Sequence, residues 1–487
     1  MLSQHDLKTA LSSICGGKYV ITPDDPSGDA DMAPYLKDWR GHYTGKAVAI
    51  ARPKTTEDVA AIIALANDHG IPIVPQGGNT SLCGGATPDE TGTAILLSLS
   101  RLNTIRTLDH KSQTMVVEAG CILEDIQRIA DDEGYLFPLD LGARGICQIG
   151  GNLATNAGGL NVVRYGNARQ LCLGLEIVTP KGDVVDLLSP LKKDNTGFDL
   201  KNLMIGSEGT LGIITAATIQ LFPRHLAHAT AWAGVRDIDA AIELLARAQT
   251  VSGGNVTSFE LMPKSIIDNV CRYYPDIAPP LEDVPAFSCL IEISSARQSD
   301  AALSQDGSAP LDVIMTDLLG NAMEDGLVND ATLARNDNQR QALWSIRELT
   351  PESEIKAGPA YKSDISLPLE HMTSFYERAA KDAEAIVPGV KIFGFGHLGD
   401  GNLHFNLSIP EDGHPDFTAQ YPKFDDLLQG LLKEYHGSIS AEHGIGQKKR
   451  AMLSAVKDPA ALQMMRAIKT ALDPNGIMNP GKILETE

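Results

Sequence analysis

The chain has 487 residues, which is enough for two or three domains with a large buried core. Its net charge of −21 at pH 7 disfavours binding to nucleic acid phosphates and insertion into anionic membranes. No apolar run approaches the ~18 residues of a membrane span, and the N-terminus shows neither a secretion signal nor an Arg-rich transit peptide. We expect a cytoplasmic protein, or a mitochondrial matrix protein if it is a processed eukaryotic chain.

The cysteines indicate the redox state of the compartment in which the protein works. Seven cysteines are scattered along the chain without a C-x-x-C pair. An odd set without paired spacing indicates a reducing environment and argues against a disulfide framework or a thiolate zinc site.

Short strands and helices alternate in the first third of the chain. Thr55 is a predicted helix N-cap, with Asp58 completing a capping box and Gly70 just past the end of the helix. The other predicted elements there are strands at Ala47–Ala51, Ile71–Pro75, Ala94–Leu99 and Met115–Glu118, a helix at Leu123–Glu133, and a hairpin turning at Pro180–Asp183.

The pattern changes at about His225 and predicts a second, α+β domain. Its predicted elements are helices at Asp239–Ala248 and Asp330–Leu349, and strands at Phe287–Ile293 and Lys362–Leu367. Near the end of the chain, Asp458 and Pro459 are typical of an N-cap and a first helical residue, and the helix pattern runs to Leu472.

Three glycine clusters lie in the first half of the chain, at Pro75–Gly85, Cys147–Gly159 and Gly206–Thr215. Glycine lets backbone N–H groups approach a diphosphate closely, and Asn, Thr and Ser add short polar groups. One such cluster alone is typical of a surface turn. Three within about 140 residues favour a large phosphate-bearing cofactor.

These clusters resemble the FAD-binding domain of the vanillyl-alcohol-oxidase-type flavoproteins. The segments FPLDLGARGICQIGGNLATNAGGL and KDNTGFDLKNLMIGSEGTLGIIT resemble the branch that holds D-2-hydroxyglutarate, D-lactate and glycolate dehydrogenases. The resemblance runs from about Lys46 to the C-terminus. It implies an α+β fold with a bipartite FAD-binding domain of two α/β subdomains, a substrate (cap) domain with an antiparallel sheet, and a C-terminal helical segment that returns to the FAD domain.

We accordingly divide the chain into three parts. The predicted FAD-binding domain is 1–224, with its flavin core at about 43–222. The predicted substrate domain is 225–435. The segment 436–487 is expected to complete the active site and to pack on the FAD domain.

The resemblance also implies the residues that contact FAD. The residues expected around the pyrophosphate are Pro75, Gly77, Gly78, Asn79, Thr80 and Ser81. Those expected along the rest of the flavin are Pro138, Gly150, Gly151, Thr155, Asn156, Gly158, Glu208, Gly209, Ile214 and Asn479. Some relatives attach FAD through a histidine in the first cluster, but this cluster has none, so we expect non-covalent FAD. Cys147 stands where the resemblance leads us to expect Ser.

A different motif lies at Ile392–Asn406, IFGFGHLGDGNLHFN. It contains a G-x-G-x-x-G pattern, but an alternating strand follows instead of the helix that a dinucleotide fingerprint requires. We interpret it as a hairpin turning at Asp400–Gly401, which places His397 opposite His404 on one polar face with Asn406. Two facing imidazoles fit either a metal site or a hydrogen-bonded structural pair.

A third candidate ligand favours the metal. The motif SISAEHGIG supplies Glu442 and, next to it, His443. Two histidines and a carboxylate suit a borderline divalent ion such as Zn²⁺ or Mn²⁺. The resemblance implies the same site, with His397, His404 and Glu442 as metal ligands and His443 as the catalytic base.

The chemistry of 2-hydroxyacid oxidation needs these parts. The reaction removes a proton from the C2 hydroxyl and a hydride from C2. A divalent metal stabilises the developing alkoxide, a neutral histidine accepts the proton near pH 7, and flavin N5 can take the hydride. We assign Asn406 to substrate positioning.

A dicarboxylate substrate needs further cations. Arg347 and Lys362 are, by pattern alone, solvated side chains, but the resemblance to D-2-hydroxyglutarate dehydrogenases implies that they bind the distal carboxylate. The family threonine four residues after the arginine falls on Pro351, with Thr350 beside it. That departure leaves lactate and malate open as substrates.

The leading hypothesis is an FAD-dependent, metal-assisted D-2-hydroxyacid dehydrogenase acting foremost on D-2-hydroxyglutarate. The alternatives with the same fold are D-lactate, D-malate and glycolate dehydrogenases. A metal-dependent hydrolase and an FAD carrier without catalysis are the alternatives from other classes. The family suggests an electron-transfer flavoprotein as acceptor, and related enzymes are often homodimers.

Overall fold

The computed structural model describes residues 2–303 and 308–485, which divide into two compact units. Unit 1 comprises Met1–Gly158, Gly166–Phe222 and Glu442–Glu487, and unit 2 comprises Gly159–Tyr165 and Pro223–Ala441. The sequence-based division starts the last segment at residue 436, whereas residues 436–441 belong to unit 2. Ser438 forms an antiparallel bridge with Ser366 there.

Unit 1 contains two main sheets. The strands of the four-stranded sheet follow the order Val20–Ile21, Ala49–Ala51, Ile95–Ser98 and Ile73–Gln76, with the last three parallel. The strands of the antiparallel sheet follow the order Ile105–Asp109, Thr114–Glu118, Ile213–Gln220, Cys172–Val178 and Val184–Leu187. Short strands lie at Tyr135–Leu136 and Phe222–Pro223.

Helices cover the strands of unit 1. They are Gln4–Cys15, Gly28–Leu36, Thr56–His69, Leu123–Asp132, Ile149–Ala154, Ala168–Leu171, Leu200–Met204, Arg450–Val456 and Pro459–Leu472, with a 3-10 turn at Gly17–Tyr19.

The capping prediction for the helix Thr56–His69 is confirmed. The Thr55 side chain accepts from the Asp58 amide, and the Asp58 carboxylate accepts from the Thr55 amide, so both partners of the capping box are made. Gly70 ends the helix in the left-handed conformation, with φ 62°. The apolar positions spaced three and four apart are fully buried and fix this helix on its sheet; they are Val59, Ile62, Ile63 and Ala66.

The C-terminal segment extends the parallel sheet of unit 1. Asp458 caps the helix Pro459–Leu472, as predicted. Met478 then forms a parallel bridge with Ile73, and the Asn479 amide donates to the Ile73 carbonyl at 2.8 Å. This pairing brings Asn479 to the strand that leads into the first glycine cluster.

Unit 2 is built on one antiparallel sheet. Its strands follow the order Val328–Leu333, Ala227–Val235, Phe287–Ser295, Val256–Pro263, Lys391–His397, Asn402–Ser408 and Ala360–Tyr361, and Ile365–Ser366 also pairs with Asn402–Ser408. The helices are Val162–Tyr165, Ile238–Ser252, Lys264–Tyr273, Gln298–Ala301, Pro310–Glu324, Asp337–Glu348, Thr350–Ala357, Met372–Ile386 and Tyr421–Glu434. The 3-10 turns are Leu369–His371, Leu398–Asp400 and Thr418–Gln420.

Two predictions for unit 2 need correction. The predicted helix Asp330–Leu349 begins only at Asp337, because residues 328–333 form an edge strand on Ala227–Val235. Tertiary pairing overrides local helix preference there. The predicted strand Lys362–Leu367 is interrupted, since only Ile365–Ser366 of it is a strand.

Across residues 2–303 and 308–485, helices are too short or too polar to cross a bilayer. The predicted fold class is confirmed: unit 1 has two sheets with helices, unit 2 has an antiparallel sheet, and the last segment of the chain belongs to unit 1.

Candidate functional site in a flavoprotein fold

The hairpin carrying the two histidines forms, but its register differs from the prediction. His404 lies opposite Phe395, two residues from the predicted partner His397. The loop is a 3-10 turn at Leu398–Asp400 followed by Gly401, which has φ 78° and whose Cβ would lie 2.4 Å from the Leu367 carbonyl oxygen. A four-residue loop therefore replaces the predicted two-residue turn.

A shift of two residues keeps every side chain on its predicted face, because strand side chains alternate with period two. The imidazole centroids of His397 and His404 lie 5.8 Å apart, with the ring planes at 78°. The face is less polar than predicted, since Phe395 packs on His404 with centroids 5.1 Å apart. The two rings are close enough to share one ligand.

Glu260 supports this pair and was not predicted. It lies on the strand Val256–Pro263, directly opposite His397, and is fully buried. Its Oε1 is 2.5 Å from His397 Nδ1, and its Oε2 accepts from Arg347 Nε at 2.6 Å. Burial acts to raise the pKa of Glu260, but His397 and Arg347 outweigh it and lower the pKa to about 2.

A second buried glutamate, Glu354, supports the other predicted cation. Its Oε2 accepts from Lys362 Nζ at 2.8 Å, and its Oε1 accepts from Asn406 Nδ2 at 2.8 Å. Asn406 Oδ1 in turn accepts from the Ser363 amide at 3.1 Å. The amide of Asn406 is thus fixed in orientation beside the Lys362 ammonium.

The two predicted substrate cations are not solvated side chains. Arg347 is buried on the helix Asp337–Glu348 and stacks over Phe395, with Cζ 5.0 Å from the ring centroid. Lys362 is half-buried. With Glu260 and Glu354 counted, the four side chains carry no net charge, so they are preorganised rather than strongly cationic.

In unit 1 the three glycine clusters converge. A Cβ at Gly78 would lie 2.2 Å from the Ile146 carbonyl oxygen, which joins the first cluster to the start of the second. A Cβ at Gly209 would lie 2.5 Å from Pro75 Cγ, which joins the third cluster to the first. Gly151 differs, because its Cβ would meet no chain atom within 4 Å.

The backbone and polar atoms of these clusters fit a bound cofactor. Four of the seven non-glycine residues with positive φ in the described part of the chain are predicted FAD contacts; they are Asn79, Asn156, Glu208 and Asn479. Such strain concentrates at ligand sites. Buried oxygens without a protein hydrogen bond also cluster here, on the side chains of Asn79, Gln148, Asn152 and Asn479. A ligand rich in hydrogen-bond donors and acceptors would satisfy them.

The motif EHGIG packs into the same clusters. Both oxygens of Glu208 accept backbone bonds from it, from the Ile445 amide at 2.7 Å and the Gly446 amide at 2.8 Å. Asn479 Nδ2 donates to the Glu208 carbonyl at 2.7 Å. Glu208, a predicted FAD contact, therefore holds the turn that follows Glu442 and His443.

The remaining predicted FAD contacts have ordinary structural positions. Ser81 Oγ accepts from the Gly85 amide at 3.2 Å, Thr155 Oγ1 donates to the Gly151 carbonyl at 3.1 Å, and Ile214 lies on a sheet strand. Thr80 and Gly77 lie in the first cluster, Gly150 is the second residue of the helix Ile149–Ala154, and Pro138 lies two residues after the strand Tyr135–Leu136. Cys147 is buried, and burial raises the pKa of its thiol to about 11.

Unit 2 brings together five predicted site residues: His397, His404, Asn406, Arg347 and Lys362. Glu442 and His443 belong to unit 1, whose third segment they open. Sequence reasoning missed Glu260 and Glu354. Glu260 did have a signal, because SFELM places one carboxylate in an otherwise uncharged strand.

The fold is that of a flavoprotein oxidoreductase. The structure of p-cresol methylhydroxylase with bound substrate superposes with a TM-score of 0.75 over 98% of this chain and 96% of that chain, at 14% identity. The family description "FAD binding domain" matches residues 47–188, and "FAD linked oxidases, C-terminal domain" matches residues 224–483. The chain belongs to the FAD-linked oxidase family, and the resemblance to vanillyl-alcohol-oxidase-type flavoproteins that its glycine clusters indicated is confirmed.

Relatives that match this chain along nearly all of its length carry more specific names. D-2-hydroxyglutarate dehydrogenase, mitochondrial, from Bos taurus is 36% identical over 100% of this chain and 84% of its own length. Its namesake from Arabidopsis thaliana is 37% identical over 92% of this chain and 77% of its own length. D-2-hydroxyglutarate–pyruvate transhydrogenase from Saccharomyces cerevisiae is 35% identical, over 99% and 95%.

Proposed function

We propose that the protein oxidises a D-2-hydroxyacid, foremost D-2-hydroxyglutarate, to the 2-oxoacid, with non-covalent FAD and a divalent metal. The observation that carries the proposal is the shared sheet of unit 2. Two adjacent imidazoles, those of His397 and His404, lie on it. The buried acid Glu260 holds His397 and the cation Arg347, and the buried acid Glu354 holds the cation Lys362. The names of the full-length relatives support the substrate.

FAD would be held by the converging glycine clusters of unit 1. The residues predicted from the resemblance include Asn79 and Asn479, each of which has a buried side-chain oxygen without a protein partner. When bound, FAD supplies the acceptor for the hydride that leaves C2. The first cluster, Pro75–Gly85, contains no histidine for a covalent link.

The metal would be held by His397, His404 and Glu442. Two contacts of Asp364 within unit 2 support this assignment. The amide of Ala441, the residue before Glu442, donates to the Asp364 carbonyl at 3.4 Å. His404 Nδ1 lies 4.0 Å from Asp364 Oδ1. A divalent ion supplies a Lewis acid that lowers the pKa of a hydroxyl group beside it.

The other residues bind and orient the substrate. His443 accepts the hydroxyl proton, as a neutral imidazole can near pH 7. Asn406 donates to or accepts from the substrate next to the histidines, and Arg347 with Lys362 binds a distal carboxylate. Because Asn406, Arg347 and Lys362 are held by buried partners, little reorganisation of these three side chains accompanies binding.

One observation favours D-malate or D-lactate as a second candidate. Pro351 occupies the position of the family threonine, and the neighbouring Thr350 is fully buried with Oγ1 donating to the Ile346 carbonyl at 3.0 Å. Thr350 therefore offers no hydroxyl to a substrate. A shorter 2-hydroxyacid does not depend on a threonine hydroxyl group at that position.

Steady-state reduction of a dye by D-2-hydroxyglutarate, D-malate, D-lactate and glycolate tests the proposal. We expect the highest kcat/KM with D-2-hydroxyglutarate. Faster turnover of D-lactate at equal concentration would make D-lactate the preferred substrate. A purified protein that takes up no flavin would favour the metal-dependent hydrolase. Full retention of flavin without turnover of any acid would favour the carrier.

The partners and location are also proposals. We propose an electron-transfer flavoprotein as the electron acceptor. Pyruvate is the alternative acceptor to test, because the yeast relative is named a D-2-hydroxyglutarate–pyruvate transhydrogenase. A homodimer is tested by light scattering. The mitochondrial names of two relatives support the matrix over the cytoplasm if the source is eukaryotic.

A further inference from the structure

The carboxylate of Glu260 makes one contact with each half of the proposed site. One oxygen meets Nδ1 of the proposed metal ligand His397, and the other meets Nε of the proposed substrate cation Arg347. Glu260 is fully buried on a strand paired with both neighbours in the sheet, so its side chain has little freedom to move.

This arrangement fixes the His397 ring. A carboxylate that accepts from Nδ1 sets the tautomer and the ring orientation, so that Nε2 is the nitrogen directed to a metal, and it raises the basicity of that nitrogen. The same carboxylate fixes the Arg347 guanidinium through Nε.

We propose that Glu260 is a positioning residue shared by the metal ligand His397 and the substrate cation Arg347. The inference rests on the proposed function and deepens it. Glu260 touches neither substrate nor flavin in this role. It sets the metal affinity through His397 and the affinity for a distal carboxylate through Arg347.

A simpler role would be charge neutralisation. Arg347 is buried, and a buried cation without a counter-ion is strongly destabilising, so any carboxylate near it would be retained for folding alone. Glu354 supplies the matched comparison, because it is equally buried and also bridges a proposed substrate cation, Lys362, but its second partner is Asn406 and not a histidine.

The test measures Zn²⁺ and Mn²⁺ dissociation constants of the flavin-loaded protein by competition with a chromogenic chelator, together with flavin content and melting temperature. We expect Glu260→Gln to weaken metal binding by about 10- to 100-fold, the usual effect of losing an outer hydrogen-bond partner of a ligand. Glu354→Gln should raise the KM for D-2-hydroxyglutarate but leave the metal dissociation constant within about twofold.

A double variant, E260Q/R347M, separates the two roles and removes the unpaired buried cation. If Glu260 acts through His397, the metal affinity of the double variant stays as low as that of E260Q. If Glu260 only neutralises Arg347, the double variant regains wild-type metal affinity, and the inference is overturned.

A metal-loaded crystal structure of the wild-type holoenzyme tests the geometry without a variant. Coordination through Nε2 of His397, with Nδ1 still on Glu260, supports the inference, and coordination through Nδ1 overturns it. The proposed function fails separately if the wild-type protein binds neither ion. Wild-type metal binding that is unchanged in E260Q refutes this inference alone.

Discussion

Glu442 lies against Gly158, so closely that a Cβ at position 158 would come within 2.9 Å of Glu442 Oε1. The second glycine cluster thus makes room for a proposed metal ligand as well as for a cofactor. The absence of a side chain at Gly158 determines where the Glu442 carboxylate can lie.

The variant Gly158→Ala tests this relationship. The added methyl group displaces the end of a flexible side chain, so we expect little loss of melting temperature but a metal affinity lower by about 10- to 100-fold, as a displacement of about 1 Å can cause. Isothermal titration of the metal into the flavin-loaded protein measures it. Unchanged affinity would mean that Glu442 is not a ligand.

Gly151→Ala probes the cofactor instead. No chain atom lies within 4 Å of the added Cβ, so the flavin-free protein should be as stable as wild type, or more stable by about 0.5–1 kcal/mol because Gly151 lies in a helix. If FAD occupies that space, flavin affinity falls at least tenfold in fluorescence titrations. Gly150→Ala is the matched control, since its Cβ would lie 2.6 Å from Ala119 Cβ and should lower the melting temperature of the flavin-free protein.

His404→Ala should abolish metal-dependent turnover and keep the flavin. Loss of a direct ligand should exceed the 10- to 100-fold effect of an outer partner, so we expect kcat to fall more than about 100-fold. The visible flavin spectrum and dye reduction are recorded on the same sample. The exposed His5→Ala is the control, and full activity of His404→Ala would refute the metal assignment.

Lys362→Met should discriminate between substrates. Only a dicarboxylate substrate has a distal carboxylate that can bind the Lys362 ammonium. A hydrogen bond to such a charged donor contributes about 1.5–3 kcal/mol, so the KM for D-2-hydroxyglutarate should rise about 10- to 100-fold in the variant. KM for D-lactate should change much less. Pairing it with E354Q removes the buried carboxylate that the single variant leaves without its cation, and an equal rise for both substrates would contradict the assignment.

Lys482 predicts a pH dependence of stability in the flavin-free protein. Burial lowers its pKa to about 8, from 10.5 in an unfolded chain. Between these values the unfolded state binds more protons, so the free energy of unfolding rises with pH; below about pH 8 the full penalty, on the order of 3 kcal/mol, remains.

Lys482→Met removes that penalty. We expect the variant to be more stable than wild type at pH 7 and the difference to be much smaller at pH 10, as thermal unfolding at both pH values would show. A difference that is constant with pH would show that Lys482 keeps its ordinary pKa when folded.

Local interactions made parts of the chain predictable. Thr55, Asp58 and Gly70 bound a helix through contacts within a few residues, and the Asp458 cap does the same near the C-terminus. The pairing of the hairpin was wrong by two residues, because the turn geometry depends on Gly401 packing on Leu367. The face of His397 and His404 survived the error, since a shift by two does not exchange faces.

The amino-acid sequence by itself determined the glycine clusters and the placement of two histidines on one face, since periodicity and turn chemistry act over short distances, and the fold class followed from its resemblance to a known family. Only the tertiary structure decided that Arg347 is buried, that Lys362 is half-buried and that both are paired, because Glu260 and Glu354 reach them from other elements. Buried charges need partners, and Glu260 and Arg347 lie 87 residues apart, so no local pattern reveals that pair. Glu354 and Lys362 lie 8 residues apart, but the helix Thr350–Ala357 that holds Glu354 ends before Lys362, so no helix or strand period links them.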